Sequence, residues 1–473
     1  MSNAPTLKLG LPASPVVPQS VMGTYRRLKW GLHGACLAVY YALPFLRWDR
    51  GPGRPGQAIM LDLANARFHL FGLEIRPQEL YYLTVLLVLA TVVLVLANAL
   101  AGRVWCGFFC PQTVWSDLFM LVERRIEGDR RDRLRKLGQP LTARRIGEIA
   151  LKHALWLIIA AATGGAIMLY FADAPTLVRE LLTGTASSAA VMIIAVFTGL
   201  TYALAGFGRE KVCTYMCPWP RLQGAIWDPE ALTVNYRDHR GEERMSVKKA
   251  AAARAAGKPA GDCVDCAACV NVCPMGIDIR QGPNIACINC GLCVDACDGT
   301  MEKLGRARGL IDYETWTNIE RGRTGEARQP ARPFRPKVLG LAAAVAAIVA
   351  GLAVSVSTRA GYEIAVSHDK SPLGVALSDG RIRNGYEFRL TNSGREPLAI
   401  QLTVEGRPGA TLAVSAEPGS EAGALPLKAD PSDTEKVRVS VFAPDGPTGD
   451  IAFVLRDGAG SVVARLAERF HRP

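Results

Sequence analysis

The chain has 473 residues, of which 49% are hydrophobic and 21% charged, and it carries a formal net charge of +12 and 13 cysteines. This high apolar share, gathered in clumps, excludes intrinsic disorder as the main state and favours membrane spans. No cysteine follows Cys297. Clustered cysteines in a long chain argue against a disulfide-stapled secreted protein and point to metal binding.

Five apolar stretches predict an α-helical transmembrane bundle of five spans. None of them contains Asp, Glu, Lys or Arg, and the alternative for each is a buried core helix. A bilayer core needs about 20 helical residues, so the first stretch, which is the shortest, is the weakest candidate. The stretches are residues 30–46, 80–100, 154–171, 188–207 and 338–357.

Basic residues predict the orientation of these spans. Residues 1–29 hold four Lys/Arg and no acid, and residues 101–150 hold ten Lys/Arg, whereas the loop between the third and fourth spans holds only Arg179. Lys and Arg gather on the cytoplasmic side of a membrane. The N-terminus is therefore expected in the cytoplasm and the C-terminus outside it, as in a multi-pass membrane protein without a cleaved signal peptide. Contact with membrane lipid explains the basic runs, and no nucleic-acid partner is expected.

The C-terminal tail predicts an all-β, immunoglobulin-like sandwich. Apolar and polar residues alternate over 386–390, 398–404 and 437–441, and turn signals such as Pro444-Asp445-Gly446 separate the runs. The predicted fold class is thus a multi-domain membrane protein. Its parts are a cytoplasmic segment 1–29, a four-helix membrane region 30–207, a cytoplasmic region 208–336 with a ferredoxin segment at about 260–300, a fifth transmembrane helix 337–357 and a β-sandwich 358–473 outside the cytoplasm.

Residues 263–297 carry the strongest motif. The pattern Cys-x2-Cys-x2-Cys-x3-Cys occurs twice, which predicts two [4Fe–4S] clusters in a bacterial-type dicluster ferredoxin domain, with the fourth cysteine of each run bound to the other cluster. Zinc is the alternative, but zinc sites favour Cys-x2-Cys pairs separated by longer spacers. One run has Asp298 where a proline is usual after the last cysteine. The predicted ligands are Cys263, Cys266, Cys269 and Cys297 for one cluster, and Cys287, Cys290, Cys293 and Cys273 for the other.

Two further cysteine pairs share the motif Cys-x3-Cys-Pro. They are Cys106/Cys110 and Cys213/Cys217, each directly after a predicted span, the second and the fourth. An i, i+4 spacing predicts that both sulfurs lie on one helix face, and the proline after the second cysteine bends the chain. The matching positions suggest an internal repeat of two helical hairpins, whose four sulfurs could converge.

The sequence is compatible with three roles for these four thiols. Soft thiolates favour Cu(I), so a copper ion is one prediction. A third iron–sulfur cluster and a redox-active dithiol facing quinone are the alternatives. His33, Cys36 and His153 lie at the same predicted depth as further candidate ligands, although Cys36 also suits a small buried hydrophobe and the histidines suit interfacial polar positions.

Together these motifs resemble the CcoG/FixG/RdxA family, the accessory proteins of the cbb-type haem–copper oxidase, over nearly the whole chain. The two Cys-x3-Cys-Pro motifs also resemble those of the NapH and NosR membrane ferredoxins, which are linked to quinol oxidation. The first resemblance implies a membrane-bound cupric reductase that reduces Cu(II) to Cu(I) for the copper centre of the oxidase. It makes Cys106, Cys110, Cys213 and Cys217 the catalytic, copper-handling residues.

The resemblance also implies a location in the bacterial inner membrane, with the β-domain in the periplasm, and it implies partners. Expected partners are oxidase assembly factors or the catalytic oxidase subunit, copper, and an electron donor that the sequence does not identify. The β-domain either docks such partners or acts as a stabilising cap. The alternative functions are a quinol-oxidising module that feeds another reductase and a non-catalytic copper-binding or iron–sulfur scaffold.

Overall fold

The computed structural model describes residues 16–51, 54–359, 361–392, 397–415, 421–430 and 433–473. The chain divides into two compact units, Met1–Leu352 and Ala353–Pro473. The helices are α1 (Thr24–Phe45), α2 (Leu80–Ala101), α3 (Val104–Phe108), α4 (Pro111–Glu127), α5 (Arg130–Leu137), α6 (Ala143–Thr163), α7 (Ala174–Thr183), α8 (Ser188–Ala203), α9 (Trp219–Ala225), α10 (Asp238–Gly241), α11 (Val247–Ala255), α12 (Ala268–Asn271), α13 (Leu292–Lys303), α14 (Trp316–Arg323) and α15 (Pro336–Ser357).

Four helices in the described ranges are long and apolar enough to cross a membrane. They coincide with the second to fifth predicted spans, and little of their apolar surface is buried within the protein, as expected for helices that face lipid. The third span continues from α6 through a 3-10 segment, and the fourth from α8 through a π-helical turn. The four helices are Leu80–Ala101, Ala143–Tyr170, Ser188–Gly208 and Pro336–Ser357.

The first predicted span forms α1 but is not among these four helices. Its first turns are polar and buried: Arg26 and Lys29 form ion pairs with Asp117 of α4 at 3.1 and 2.9 Å. His33 lies at 3.7 Å from the same carboxylate. The first turns of α1 therefore contain charged side chains that pair with α4 inside the protein.

The remaining length of α1 lies beside the third span. The hydroxyls of Tyr40 and Tyr41 donate to the carbonyls of Thr163 and Ala162, at the far end of α6. Its 22 residues correspond to about 33 Å of helix, which is the thickness of a bilayer core. The five-span arrangement remains a prediction that this packing supports.

A small sheet follows α1, which sequence patterns did not predict. Its antiparallel strands are β1 (Ile59–Asp62), β2 (Arg67–Leu70) and β3 (Leu73–Ile75). Strands of three or four residues carry too little alternation to be recognised. Buried Arg50 anchors the sheet by donating to the carbonyls of Phe71, Pro55, Gln57 and Ala58.

The ferredoxin segment packs on a two-stranded antiparallel sheet of β4 (Thr233–Tyr236) and β5 (Ile311–Glu314). The two strands bracket the segment in sequence, and they contribute Val234, Tyr236 and Ile311 to its apolar core. Because β4 and β5 pair, the two ends of residues 233–314 lie side by side and the segment forms one domain.

The second unit is β-rich. Its strands are β6 (Tyr362–His368), β7 (Val375–Ala376), β8 (Arg381–Asn392), β9 (Leu398–Glu405), β10 (Thr411–Val414), β11 (Ala424–Ala429), β12 (Thr434–Pro444), β13 (Gly449–Asp457) and β14 (Val462–Phe470). They form two antiparallel sheets, one with the order β10-β12-β8-β6, where β7 also pairs with β8, and one with the order β11-β9-β13-β14. The predicted alternation is confirmed, because Tyr386, Phe388 and Leu390 are all fully buried in the core between the sheets.

The number of spans can be tested with reporters fused to the two ends of the full-length chain. If α1 crosses the membrane, we expect a fluorescent protein at the N-terminus to fold in the cytoplasm and alkaline phosphatase at the C-terminus to be active in the periplasm. The same reporters exchanged between the ends serve as the control. Both termini on one side of the membrane would contradict five spans.

Candidate iron–sulfur and thiol site

The two cysteine runs of the ferredoxin segment share a backbone conformation. Asp265 and Asn289, at equivalent positions, have φ values of +53° and +51°, and Ala267 and Gly291 have +54° and +72°. Left-handed residues curl the chain tightly, so that successive backbone amides face one point. A helix begins directly after each loop, α12 in the first run and α13 in the second. The sequence repeat is thus also a structural repeat.

The fourth cysteine of each run lies with the other run. Cys297 is within electrostatic range of Cys269, Cys263 and Cys266. In the same way, Cys273 is within range of Cys290 and Cys287. This arrangement matches the crossed ligand assignment, which remains a prediction.

The donor set and its surroundings fit iron–sulfur clusters. One small cavity is lined by Cys263, Cys266, Cys269 and Cys297, and a second by Cys273, Cys287, Cys290 and Cys293 with Cys269. Most of the remaining lining is apolar, from residues such as Val234, Ile288 and Leu292. Thiolate ligands in an apolar shell are the environment that iron–sulfur clusters require.

Burial keeps these thiols protonated until iron binds. Desolvation raises the pKa of Cys269, Cys273 and Cys297 to about 12 and that of Cys287 to about 11. Iron must therefore displace protons from these sulfurs, so cluster binding should strengthen as the pH rises.

The membrane-edge motifs do not form one helix face, contrary to the sequence-based expectation. Cys106 lies in α3, but Cys110 is extended with φ −60° and ψ 127°, and α4 starts at the following proline. Cys213 lies in a π-helical turn, and Cys217 repeats the extended conformation with φ −76° and ψ 124°. The proline dominates, because it disfavours helix at the preceding residue. The predicted bend occurs in both copies.

The structure brings the four membrane-edge cysteines together. Cys110, Cys213 and Cys217 all lie within electrostatic range of Cys106. Burial raises the pKa of Cys106 to about 12 and that of Cys213 to about 11. The cysteines of the two motifs are therefore neighbours, and we call these four side chains the thiol group.

This thiol group lies against the second ferredoxin loop. Cys106 and Cys213 pack on the apolar cluster that contains Ile288, Cys290 and Leu292. Gly107 makes the closest approach, since a Cβ at this position would lie 2.5 Å from the Ile288 carbonyl oxygen. Only glycine allows the motif to sit this near the loop.

Arg103 links the two sites, and sequence reasoning missed it. Its guanidinium donates to the carbonyls of Ile285 and Cys287, the latter at 2.9 Å, and to the Gln223 side chain at 2.7 Å. It also lies within electrostatic range of Cys106, Cys213, Cys217 and Cys287. Its position in the sequence, between the end of the second span and the first Cys-x3-Cys-Pro motif, could have indicated this role.

An aspartate of the ferredoxin domain fastens α1 to the same assembly. Asp295 of α13 accepts hydrogen bonds from the backbone N–H groups of Tyr25 and Arg26 at 3.1 and 2.8 Å. A carboxylate at a helix N-terminus satisfies free N–H groups and the helix dipole. Asp298, in the position where proline is usual, accepts from the Gly309 N–H at 2.8 Å and so holds the following turn.

The additional predicted ligands lie in other environments. His33 is fully buried near Asp117, and His153 of α6 is within 3.0 Å of the Tyr202 hydroxyl. Cys36 is half-buried in α1. Within the described part of the chain, no group of three His, Cys, Asp or Glu side chains is placed to hold a single metal ion, and this includes the four membrane-edge thiols, whose sulfurs would have to move closer together to share one.

Family comparisons agree with this layout. A family model described as a 4Fe-4S dicluster domain matches residues 208–316, and one described as a 4Fe-4S binding domain matches residues 82–128 and 188–227, which contain the two membrane-edge motifs. A third, described as the IG-like fold at the C-terminus of FixG, matches residues 352–473. The chain is therefore a membrane protein of the iron–sulfur electron-transfer class.

Full-length relatives identify the family. Protein RdxA of Cereibacter sphaeroides is 44% identical over 97% of this chain and 98% of its own length. Nitrogen fixation protein FixG of Rhizobium meliloti is 43% identical over 91% of this chain and 87% of its own. The chain belongs to the FixG/RdxA family, as its motifs indicated. A crystal structure of a FixG-related protein from Vibrio parahaemolyticus, 15% identical, aligns with 24% of this chain and 98% of its own at a TM-score of 0.20.

Replacing Arg103 tests its link to the Cys287 loop. We expect Arg103→Gln to lower the midpoint potential of the adjacent cluster by about 50 mV, because the reduced cluster is more negative and loses a nearby positive charge. Redox titration followed by electron paramagnetic resonance measures this shift. Arg144→Gln, at an exposed position of α6, is the control. Equal potentials in both variants would exclude an electrostatic role for Arg103.

Proposed function

We propose that this protein reduces Cu(II) to Cu(I) at the four membrane-edge thiols, and that it supplies Cu(I) for assembly of a cbb-type haem–copper oxidase. One observation carries the proposal: Cys106 and Cys213 pack directly on the second ferredoxin loop, and Cys110 and Cys217 lie within electrostatic range of Cys106. Electrons leaving that loop have the thiols as their nearest soft-metal site.

The chemistry of the thiols suits this reaction. Bound iron–sulfur clusters, held by the eight ferredoxin cysteines, supply electrons one at a time. Copper needs a single electron for Cu(II) to become Cu(I). Thiolates bind Cu(I) more strongly than harder cations, so binding at these sulfurs favours the reduced ion. The high pKa values of Cys106 and Cys213 imply that copper binding releases protons.

The neighbouring residues have separate tasks in this scheme. Arg103 holds the Cys287 loop by its hydrogen bonds and stabilises added negative charge on either side. Gln223 lies 3.9 Å from the Cys106 sulfur and at the same time accepts from Arg103. The pair fixes the thiol group against the loop without taking part in proton transfer.

The orientation and the partners belong to the same proposal. With five spans and a cytoplasmic N-terminus, the ferredoxin domain and the thiols lie at the cytoplasmic edge of the inner membrane. The β-domain then lies in the periplasm, where it can dock oxidase assembly factors or the catalytic oxidase subunit. The absence of cysteine from that domain fits a docking role rather than copper transfer through thiols.

A third cluster at the four thiols is the second candidate, and it rests on one specific observation. The 4Fe-4S binding family model matches residues 82–128 and 188–227, the two hairpins that carry these cysteines. Four neighbouring thiols are also the ligand number of a [4Fe–4S] cluster. In that case the thiols extend the electron relay, and copper is reduced elsewhere or not at all.

Replacing the four thiols separates these functions. We expect the Cys106→Ala, Cys110→Ala, Cys213→Ala, Cys217→Ala variant to keep about eight irons per chain, as in the wild type, and to lose at least about tenfold in Cu(II) reduction by the dithionite-reduced protein freed of excess reductant. A Cu(I) chelator and iron analysis provide the readouts. Equal copper reduction by both proteins would refute the proposal, and about twelve irons in the wild type would favour the third cluster.

A glycine variant tests the proximity of the two sites without removing any sulfur. Gly107→Ala forces the first motif away from the Ile288 carbonyl, so we expect slower copper reduction at unchanged iron content. Gly199→Ala in α8 is the matched control, because its Cβ meets no atom within 4 Å. If both variants reduce copper at one rate, close packing of the motif on the loop is not required.

A further inference from the structure

One cysteine of the first cluster site reaches the surface of the ferredoxin domain. Of the eight ferredoxin cysteines, all within the described ranges, only Cys266 is exposed. Its sulfur lies 4.0 Å from the hydroxyl of Thr300 in α13, and exposed Lys303 ends the same helix one turn later. Electron transfer between proteins falls steeply with distance. A soluble partner can therefore approach the bound clusters most closely beside Cys266.

The second cluster site faces the opposite task. Cys106 and Cys213 pack on its loop, so it is the site next to the thiol group. Cys269 lines the cavities of both cluster sites, which are therefore adjacent. An electron that leaves the second site for the thiol group can thus reach it from the first. The exposed end of this path is Cys266.

Exposed lysines lie on the elements next to this end of the path. The helix α11 runs beside the segment that supplies Cys263: the Met245 N–H, just before the helix, donates to the Cys263 carbonyl at 3.3 Å, and Arg254, near its end, donates to the Gly261 carbonyl at 3.2 Å. The exposed lysines of α11, of the turn after it and of the end of α13 form a surface that we call the lysine patch. It consists of Lys248, Lys249, Lys258 and Lys303.

Most acidic side chains near the patch are already paired with arginines. The ion pairs are Asp262 with Arg240, Asp265 with Arg280, Glu242 with Arg244, and Glu302 with Arg308. By contrast, no lysine of the patch forms an ion pair within the described part of the chain, where exposed Glu243 is the neighbouring acid that opposes them. The patch therefore has an excess of uncompensated positive charge, which attracts and orients an acidic partner.

We propose that the lysine patch docks an acidic, soluble one-electron carrier protein, which delivers electrons to the ferredoxin domain beside Cys266. This inference rests on the proposed function for the destination of the electrons, and it names the class of their donor. The carrier loses one electron and is oxidised. The same electron passes through the ferredoxin domain and reduces one Cu(II) to Cu(I) at the thiol group, and no proton has to cross the docking surface.

The position of the patch favours such a carrier over other anionic partners. An anionic lipid surface would be attracted by the same lysines, but it has no electron to give, whereas the patch adjoins an exposed cluster ligand. A nicotinamide cofactor donates a hydride, which carries two electrons together. Iron–sulfur sites accept electrons one at a time, so a one-electron carrier matches them.

Reversing the charge of the patch tests the proposal in the full-length protein with its clusters bound. The probe is an acidic plant-type [2Fe–2S] ferredoxin, whose potential of about −400 mV makes it a reductant. We expect its binding to the wild type, and the rate at which it reduces the clusters in stopped-flow mixing, to fall at least about tenfold between about 0.01 and about 0.5 M salt. At low salt, the Lys248→Glu, Lys249→Glu, Lys258→Glu, Lys303→Glu variant should lose at least about tenfold in both quantities at unchanged iron content.

The matched control makes the same change of net charge at exposed positions of the β-domain. It is the Lys370→Glu, Arg389→Glu, Lys428→Glu, Lys436→Glu variant. We expect this protein to bind the ferredoxin and to accept its electrons as the wild type does. Equal rates in the two variants, or reduction of the wild type that does not depend on salt, would overturn the docking site. Loss of binding to anionic vesicles in the patch variant, with carrier binding unchanged, would assign the patch to lipid and overturn it as well.

Failure of this proposal is distinguishable from failure of the proposed function. Once chemically reduced, the patch variant should reduce Cu(II) at the wild-type rate, because its thiols are untouched. If no chemically reduced protein reduces Cu(II), but the ferredoxin still reduces the clusters and needs the patch to do so, the docking site stands and copper reduction fails.

Discussion

The seating of the second ferredoxin loop on the end of α2 is the constraint on which the rest of the site depends. Arg103 donates to the carbonyls of Ile285 and Cys287, and Gly107 leaves no room for a side chain against Ile288. Hydrogen bonds from a charged donor to buried carbonyls are among the stronger ones in proteins. This contact brings a membrane-edge motif and a cluster loop to van der Waals distance, and under the proposed function the thiol group receives its electrons across it.

The thiol group itself is made of two halves that are equivalent. In each hairpin a span ends, a cysteine follows, and a second cysteine is held extended by a proline that starts another helix. Neither hairpin alone supplies more than two sulfurs. The packing of α4 and α6 against the end of the fourth span, with Trp156 buried between Phe119 and Gly206, holds the two hairpins together, although it lies outside the motifs. The relative positions of the thiols therefore depend on helix packing as well as on the motifs themselves.

Local patterns in the sequence predicted local structure well. The spacing of the eight cysteines requires only short loops, and the alternation around Phe388 requires only one strand, so both could be recognised without long-range information. Pro111 also encodes the helix break between Cys106 and Cys110 locally, because a proline disfavours helix at the residue before it, and this effect overrides the i, i+4 spacing. The contact of Arg103 with Ile285 joins residues 182 positions apart, and no periodicity encodes such a pair. The burial of Lys29 against Asp117 is likewise a tertiary effect that overrides the usual exposure of lysine.

Asp295 makes the position of α1 depend on the ferredoxin domain, which needs iron to fold. This carboxylate caps the N-terminus of α1 from within α13, the helix that begins in the second cysteine run. A ferredoxin segment without iron has no covalent framework to hold α13 in place, so α1 would lose its cap as well. In a cell short of iron, newly made chains would then lack both the electron relay and the anchored α1. Under the proposed function, copper would be reduced only where iron suffices to build the oxidase haems that need it.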